Sequence, residues 1–138
     1  MALLDVLPIA GSGMAAESQR LSAVASNVAN ANSMAGPDGQ PYRAREVVFQ
    51  AVPASSGSGP AATGMAGVQV AAVVQSDEPL QESYDPTSSF ADAQGYVQMP
   101  NVDPVEEMVN MISAQQDYQA DLEAFNVAKT LALRTLSI

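Results

Sequence analysis

The stretch DPVEEMVNMISAQQDYQADLEAFNVAKTLALRTLSI, residues 103–138, decides the fold because it reads as one uninterrupted amphipathic helix. Stepping alternately by three and four residues selects Met108, Met111, Gln115, Tyr118, Leu122, Phe125, Lys129, Ala132 and Leu136. Most of these are apolar or aromatic, which is the pattern of a coiled-coil seam. The start of the helix is written just as clearly. Asp103 suits the N-cap, Pro104 the first helical position where its missing N–H costs nothing, and Glu106 the third, from which a carboxylate reaches back. Asp103, Glu106 and Glu107 sit at the positive end of the helix dipole, Lys129 and Arg134 toward the negative end. At about 1.5 Å per residue the helix would be on the order of 54 Å long, against roughly 28 Å for the diameter of a compact domain of this size. Part of its apolar surface must therefore be covered from outside the subunit.

Composition narrows what such a helix can belong to. With 47% hydrophobic and 14% charged residues, the 138-residue chain has material for a core and is not a highly charged disordered chain. It has no His, Cys or Trp, so the common metal-ligand sets, thiol chemistry and the usual neutral-pH general base are absent from its repertoire. No catalytic, cofactor-binding or metal-binding residues are expected. The net charge of −10 divides as −1 over residues 1–33, −5 over 34–102 and −4 over 103–138, so no segment offers the basic patch that nucleic acid or an anionic lipid surface requires. No apolar run reaches membrane-spanning length. The first basic residue is Arg20, so the N-terminus does not read as a cleaved signal peptide.

A second long helix is expected over residues 5–32. Leu7, Ala10, Met14, Glu17, Leu21, Val24, Val28 and Ala31 repeat the same spacing, with Glu17 the single charged member. Asp5 is the expected N-cap, which would put Pro8 at the third helical position, where no intrahelical bond is lost. Gly11 and Gly13 each cost about 1 kcal/mol relative to Ala, so these turns are weak without a partner. The helix would end in Ser26-Asn27-Val28-Ala29-Asn30-Ala31-Asn32-Ser33. Asn favours caps and turns. Its carboxamide also both donates and accepts, so Asn27 and Asn30, one helical turn apart, are expected to bond neighbouring backbones and fix register between helices.

Between the two helices the composition changes. Gly36-Pro37-Asp38-Gly39 signals a turn, residues 46–52 and 67–75 read as strands, and the Pro-, Ala-, Ser- and Gly-rich stretch at 53–67 reads as a flexible loop. Residues 80–84 form a weaker strand, Asp85-Pro86 a turn, and Gly95 interrupts a last extended stretch ending at Met99-Pro100. Asp77, Glu78, Glu82, Asp85 and Asp92 lack the order of a calcium loop and read as solvated acidic surface. The expected fold is mainly α. Long N- and C-terminal helices pair in a coiled-coil-like, discontinuous domain formed by residues 1–33 and 102–138, with a small β-rich insert at 34–101.

The Asn-rich run resembles the motif that ends the N-terminal helix of rod and hook proteins of the bacterial flagellum. Tyr84-Asp85-Pro86, Ala91-Asp92-Ala93-Gln94-Gly95-Tyr96-Val97, Pro100-Asn101-Val102, Glu106-Glu107-Met108-Val109, Tyr118-Gln119-Ala120, Lys129 and Thr135-Leu136 resemble, in order and spacing, the proximal-rod members of that axial protein family. Pro41-Tyr42-Arg43 extends the match, which covers nearly the whole chain outside the 53–67 loop. The chain departs from the pattern at Pro8, and at Asp103 and Asp121, where relatives often carry Asn. The resemblance implies a non-enzymatic subunit of the proximal rod, in the basal body within the periplasmic space, that transmits torque and surrounds the export channel. It implies as partners the protein itself, other proximal- and distal-rod subunits, the adaptor protein at the MS ring, and the type III export apparatus. The expected assembly interface comprises Leu7, Met14, Leu21, Val24, Asn27, Val28 and Asn30 on the first helix. On the second it comprises Met108, Met111, Tyr118, Leu122, Phe125 and Leu136.

Overall fold

In a computed structural model, which describes residues 2–34, 40–53 and 66–137, the chain runs α1 (Ala2–Asn30), β1 (Arg45–Pro53), β2 (Ala66–Gln75), β3 (Gln81–Tyr84), β4 (Tyr96–Met99) and α2 (Pro104–Leu136). The turn expected at 36–39 and loop residues 54–65 lie outside the described residues.

The expectation of a mainly α protein with a small β-rich insert is corrected. Among the described residues 51% are helix and 23% strand, and these strands form two separate two-stranded antiparallel sheets, β1 with β2 and β3 with β4. β1 and β2 are nine and ten residues long, and their ends take in Pro53, Ala66 and Gly67, which composition assigns to the loop. Two features hide them in the sequence. β1 is exposed at most positions on both faces, so no period-two alternation marks it. Pro53 occupies its last position, where a missing ladder donor costs little.

The residues gather into two compact units. One comprises Met1–Leu21, Val47–Ala72 and Ile112–Ile138, the other Ser22–Glu46 and Val73–Met111.

α1 begins at Ala2, three residues before the expected cap at Asp5, so Pro8 lies inside the helix. Proline has no N–H to give residue 4 but its fixed φ suits a helix, so the loss falls near an end that is already weakly held. The other end closes through its own side chains. Asn30 Nδ2 donates to the Ser26 carbonyl (2.8 Å), and the Ser33 N–H (3.1 Å) and hydroxyl (2.8 Å) both donate to the Asn30 carbonyl. The Ser33 bonds satisfy the Asn30 carbonyl, which the last turn leaves open.

α2 starts where the sequence says it should. The Val105 N–H donates to Asp103 Oδ1 (2.8 Å) and the Glu107 N–H to the Asp103 carbonyl (3.0 Å), which makes Asp103 the N-cap and Pro104 the first helical residue.

The face each helix buries is set partly by size. Along α2, Ala114 and Ala128 are buried, and Met111, Tyr118, Asp121, Phe125 and Ala132 are half-buried. Gln115, Leu122 and Lys129, which hydrophobic spacing places in the same row, are exposed. The row is thus kept at Met111, Tyr118, Phe125 and Ala132 and turned by one residue in between, onto two alanines and an aspartate. α1 does the same. Ala10, Val24 and Ala31 are buried as their spacing predicts, and the positions between them are taken by Gly13, Arg20 and Asn27 as well as by Met14, Leu21 and Val28. Small residues let helix backbones approach more closely than Leu or Gln would, and periodicity of hydrophobicity does not register that.

In the second unit, Ala31, Ala44 and Val102 form a small core with Tyr42 against it, and Val97 and Pro100 are fully buried. β3 and β4 pair Gln81 with Met99 through Tyr84 with Tyr96, and the two Tyr rings meet edge to face at 5.3 Å. The loop between them is held by its acidic residues. Asp92 Oδ1 accepts the Gln94 and Tyr96 N–H groups (both 2.9 Å), and Asp85 Oδ1 accepts the Thr87 N–H (3.1 Å) and hydroxyl (2.6 Å). Gly95 turns the chain at φ +87°, where a Cβ would meet Tyr84 Cε2 at 3.0 Å.

Candidate functional site

The most densely bonded polar group in the second unit is Asn27, only 1% exposed. Its Oδ1 accepts the Arg45 N–H (2.9 Å) and the Tyr42 hydroxyl (2.9 Å), and its Nδ2 donates to the Arg45 carbonyl (3.0 Å) and Glu107 Oε2 (3.1 Å). Two donors and two acceptor positions are all a carboxamide has, and all are used. Asn27 therefore holds the backbone of Arg45 as a strand neighbour would, while reaching α2 through Glu107. The Tyr42 hydroxyl also contacts Ser26 Oγ (3.1 Å), and the Arg45 guanidinium lies 5.7 Å from the centre of the Tyr42 ring.

A second asparagine secures the residue before. Asn101 Oδ1 accepts the Ala44 N–H (2.8 Å), and its Nδ2 donates to the carbonyls of Glu78 (3.1 Å) and Ser76 (3.4 Å). Arg43 donates to the same two carbonyls (3.3 and 3.2 Å), and the Ser76 N–H closes onto the Ala44 carbonyl (2.8 Å). The backbone of Ala44 and Arg45 is thus pinned by one carboxamide from α1 and one from the segment before α2. Sequence reasoning singles out Asn27 but expects it to set register between helices; half of its bonds go instead to the start of β1. Asn30 bonds inside its own helix. Asn101 belongs to the Pro100-Asn101-Val102 motif, but nothing in the sequence gives it a role, and its only signal is an amide-bearing residue between Pro100 and Val102.

Burial holds the Glu107 carboxyl above the usual range, aided by the neighbouring Glu106 and Glu46 and opposed by the amides of Asn27 and Asn110. Asp85 is held below its usual value, chiefly by the Thr87 hydroxyl and N–H. It and Asp92 are committed to shaping the hairpin loop, a structural use of carboxylates the sequence reads only as acidic surface. Among the described residues no group of three His, Cys, Asp or Glu side chains is arranged to hold a metal ion, and no helix is long and apolar enough to cross a membrane.

The first unit holds the other polar contact between the helices. Asp121 of α2 sits against Gly13 of α1 so closely that a Cβ there would meet the Asp121 Cγ at 2.9 Å. Arg20 lies 3.4 Å from Glu17 and 3.5 Å from Asp117. These contacts run in opposite directions along the two helices, so the pair is antiparallel.

The residues expected at an assembly interface fall into two groups. Val24 and Asn27 are buried within the chain, and Leu7, Met14, Leu21, Val28, Asn30, Met111, Tyr118 and Phe125 are half-buried. Met108 (53%), Leu122 (40%) and Leu136 (84%) are exposed, and on the same helix so are Val105, Val109, Ile112, Val127, Leu131 and Leu133. So many exposed large aliphatics on one helix are the mark of a surface that meets other protein.

Two family models match the chain at its helical ends: the flagella basal body rod protein over residues 7–37, and the C-terminal region of the flagellar basal body rod FlgEFG proteins over 93–138. Together with the exposed apolar α2 they define a flagellar basal-body rod protein. The chain is 54% identical to the flagellar basal-body rod protein FlgC of Salmonella typhimurium and 55% identical to that of Escherichia coli O6:H1, in each case over 100% of this chain and 98% of the relative. To FlgC of Borreliella burgdorferi it is 35% identical with the same coverage. The chain belongs to the FlgC family of flagellar basal-body rod proteins. It is a structural component of the flagellar basal body and not an enzyme, and it assembles with other rod components.

Proposed function

We propose that the protein is a subunit of the proximal rod, polymerising through its terminal helices into a drive shaft that transmits torque and surrounds the export channel. In this assembly residues 1–33 and 102–138 act as the axial core and 34–101 as the portion outside it. Its partners are further copies of itself, the other proximal- and distal-rod subunits, the adaptor at the MS ring, and the type III export apparatus that delivers the chain to the periplasmic part of the basal body. The observation that carries this reading is the row of exposed aliphatics on α2, which the chain's own packing leaves uncovered. Burying one Leu side chain is worth about 1.5–3 kcal/mol, so a neighbour that covered several would be held firmly. The interface centres on Met108, Leu122 and Leu136, with Leu7, Met14, Leu21, Val24, Asn27, Val28, Asn30, Met111, Tyr118 and Phe125 supporting it from within the helix pair.

Deleting the gene should halt flagellar assembly before the hook while leaving the MS ring in place. Complementation with Leu122→Asp should restore export but not motility, and the purified variant should melt close to wild type because Leu122 is already 40% exposed. Motile cells carrying Leu122→Asp would refute this use of the α2 surface.

A further inference from the structure

The contact between α1 and α2 in the first unit gathers three carboxylates, two of them on one cation. Glu17 and Arg20 come from α1, Asp117 and Asp121 from α2, and Arg20 reaches only Glu17 (3.4 Å) and Asp117 (3.5 Å). Asp121 is half-buried against Gly13. The strand segments of the same unit, residues 47–53 and 66–72, carry no titratable side chain that could compensate. At neutral pH the cluster therefore holds two negative charges in excess, with the Asp121 carboxylate lying in the space a side chain at Gly13 would take.

We infer that the docking of α1 on α2 in this unit is proton-linked: it loosens when Glu17, Asp117 and Asp121 are all ionised and tightens when the cluster takes up a proton. A neutral carboxyl removes one of the repelling charges. The titration of the individual groups agrees with this geometry. Burial pushes the Glu17 carboxyl up, and Asp117 and Asp121 add to the rise against the opposing Arg20. Burial pushes Asp121 up as well, with Asp117 adding to it. Raised folded-state values mean that the docked form binds more protons than the undocked form. The penalty is then fully present above the folded-state values, and it is relieved as pH falls through them toward the ordinary carboxylate range. Lys129, Arg134 and Glu123, the other charged groups of α2 in this unit, are exposed and do not enter the cluster.

The test is hydrogen exchange on the full chain, as protection factors corrected for intrinsic rates, at about pH 7 and about pH 5. Amides of residues 13–21 and 117–125 should gain protection at the lower pH, about tenfold for each unit by which the folded-state pKa exceeds the unfolded one when the whole window is crossed. Glu17→Gln combined with Asp121→Asn should abolish most of that gain and be at least as protected as wild type at pH 7. The inference is overturned if wild type shows no gain in these segments, or if the double variant keeps it in full. Should the double variant not fold, the wild-type profile together with Asp121→Asn alone decides the matter by the same criteria. None of these outcomes depends on whether the rod assembles.

Discussion

Replacing Asn27 with Asp changes one atom in the most constrained polar site of the molecule, and its consequence follows from four distances. The Oδ1 that accepts the Arg45 N–H and the Tyr42 hydroxyl, both at 2.9 Å, is retained. The Nδ2 that donates to the Arg45 carbonyl at 3.0 Å and to Glu107 at 3.1 Å becomes a second oxygen facing two oxygens. Each hydrogen bond lost with its buried partner left behind costs about 1–3 kcal/mol. Two carboxylates about 3 Å apart repel by roughly 5 kcal/mol at an effective dielectric of 20, a figure to be reduced because Glu107 is half-exposed and its carboxyl is already displaced upward. A net loss of about 4 kcal/mol at neutral pH is expected, a large share of the roughly 5–15 kcal/mol that holds an ordinary domain together. Lowering the pH should return part of it, about 2 kcal/mol, because protonating either the introduced carboxyl or Glu107 restores a donor between them. The assay is urea unfolding followed by circular dichroism, comparing the variant with wild type at about pH 7 and again at about pH 4.5. A loss below about 1 kcal/mol would mean the carboxamide is not the hub the distances describe. The same loss at both pH values would refute the role of Glu107 in it.

Asp103→Ala removes the acceptor of the Val105 N–H and should cost about 1 kcal/mol in thermal or urea unfolding, whereas Glu123→Ala on the exposed side should stay within about 0.5 kcal/mol. Equal losses would argue that α2 draws nothing from its cap. Gly95→Ala should destabilise the β3–β4 hairpin by about 1–2 kcal/mol, since φ is +87° and the new Cβ would lie 3.0 Å from Tyr84 Cε2; an unchanged melting temperature would show that the loop relaxes freely. Phe125→Asp, unlike Leu122→Asp, should lower the melting temperature of the isolated chain by several degrees, because Phe125 is half-buried within it; a melting temperature equal to wild type would place Phe125 outside the intrachain contact.

What can be foreseen and what cannot divides along physical lines. Helix starts and stops rest on groups a few residues apart, so Asp103 and Pro104 announce α2 correctly, and the Asn-rich run closes α1 through bonds no longer than one turn. The start of α1 is misplaced by sequence reasoning because proline is ordinarily compatible only with the first turn, whereas Pro8 lies deeper in the helix. The weight of β structure is underestimated because β1 and β2 satisfy each other's backbones without burying an alternating face, so their side chains carry little of the pattern that marks a strand.

The two long helices, the approximate positions of the four strands, and the motifs that place the chain among flagellar rod proteins are all legible in the order of residues. All of these depend on local spacing or on order along the chain. Which side of each helix faces its partner is settled by the folded chain, because it depends on size and hydrogen bonding across space. Gly13 yields room to Asp121, Ala114 and Ala128 replace Gln115 and Lys129 on the inner row, and Asn27 is buried because Arg45, Tyr42 and Glu107, distant in sequence, together satisfy every bond it can make. A carboxamide with four partners escapes the penalty of a buried unpaired polar group, and no scale of single-residue hydrophobicity contains that information.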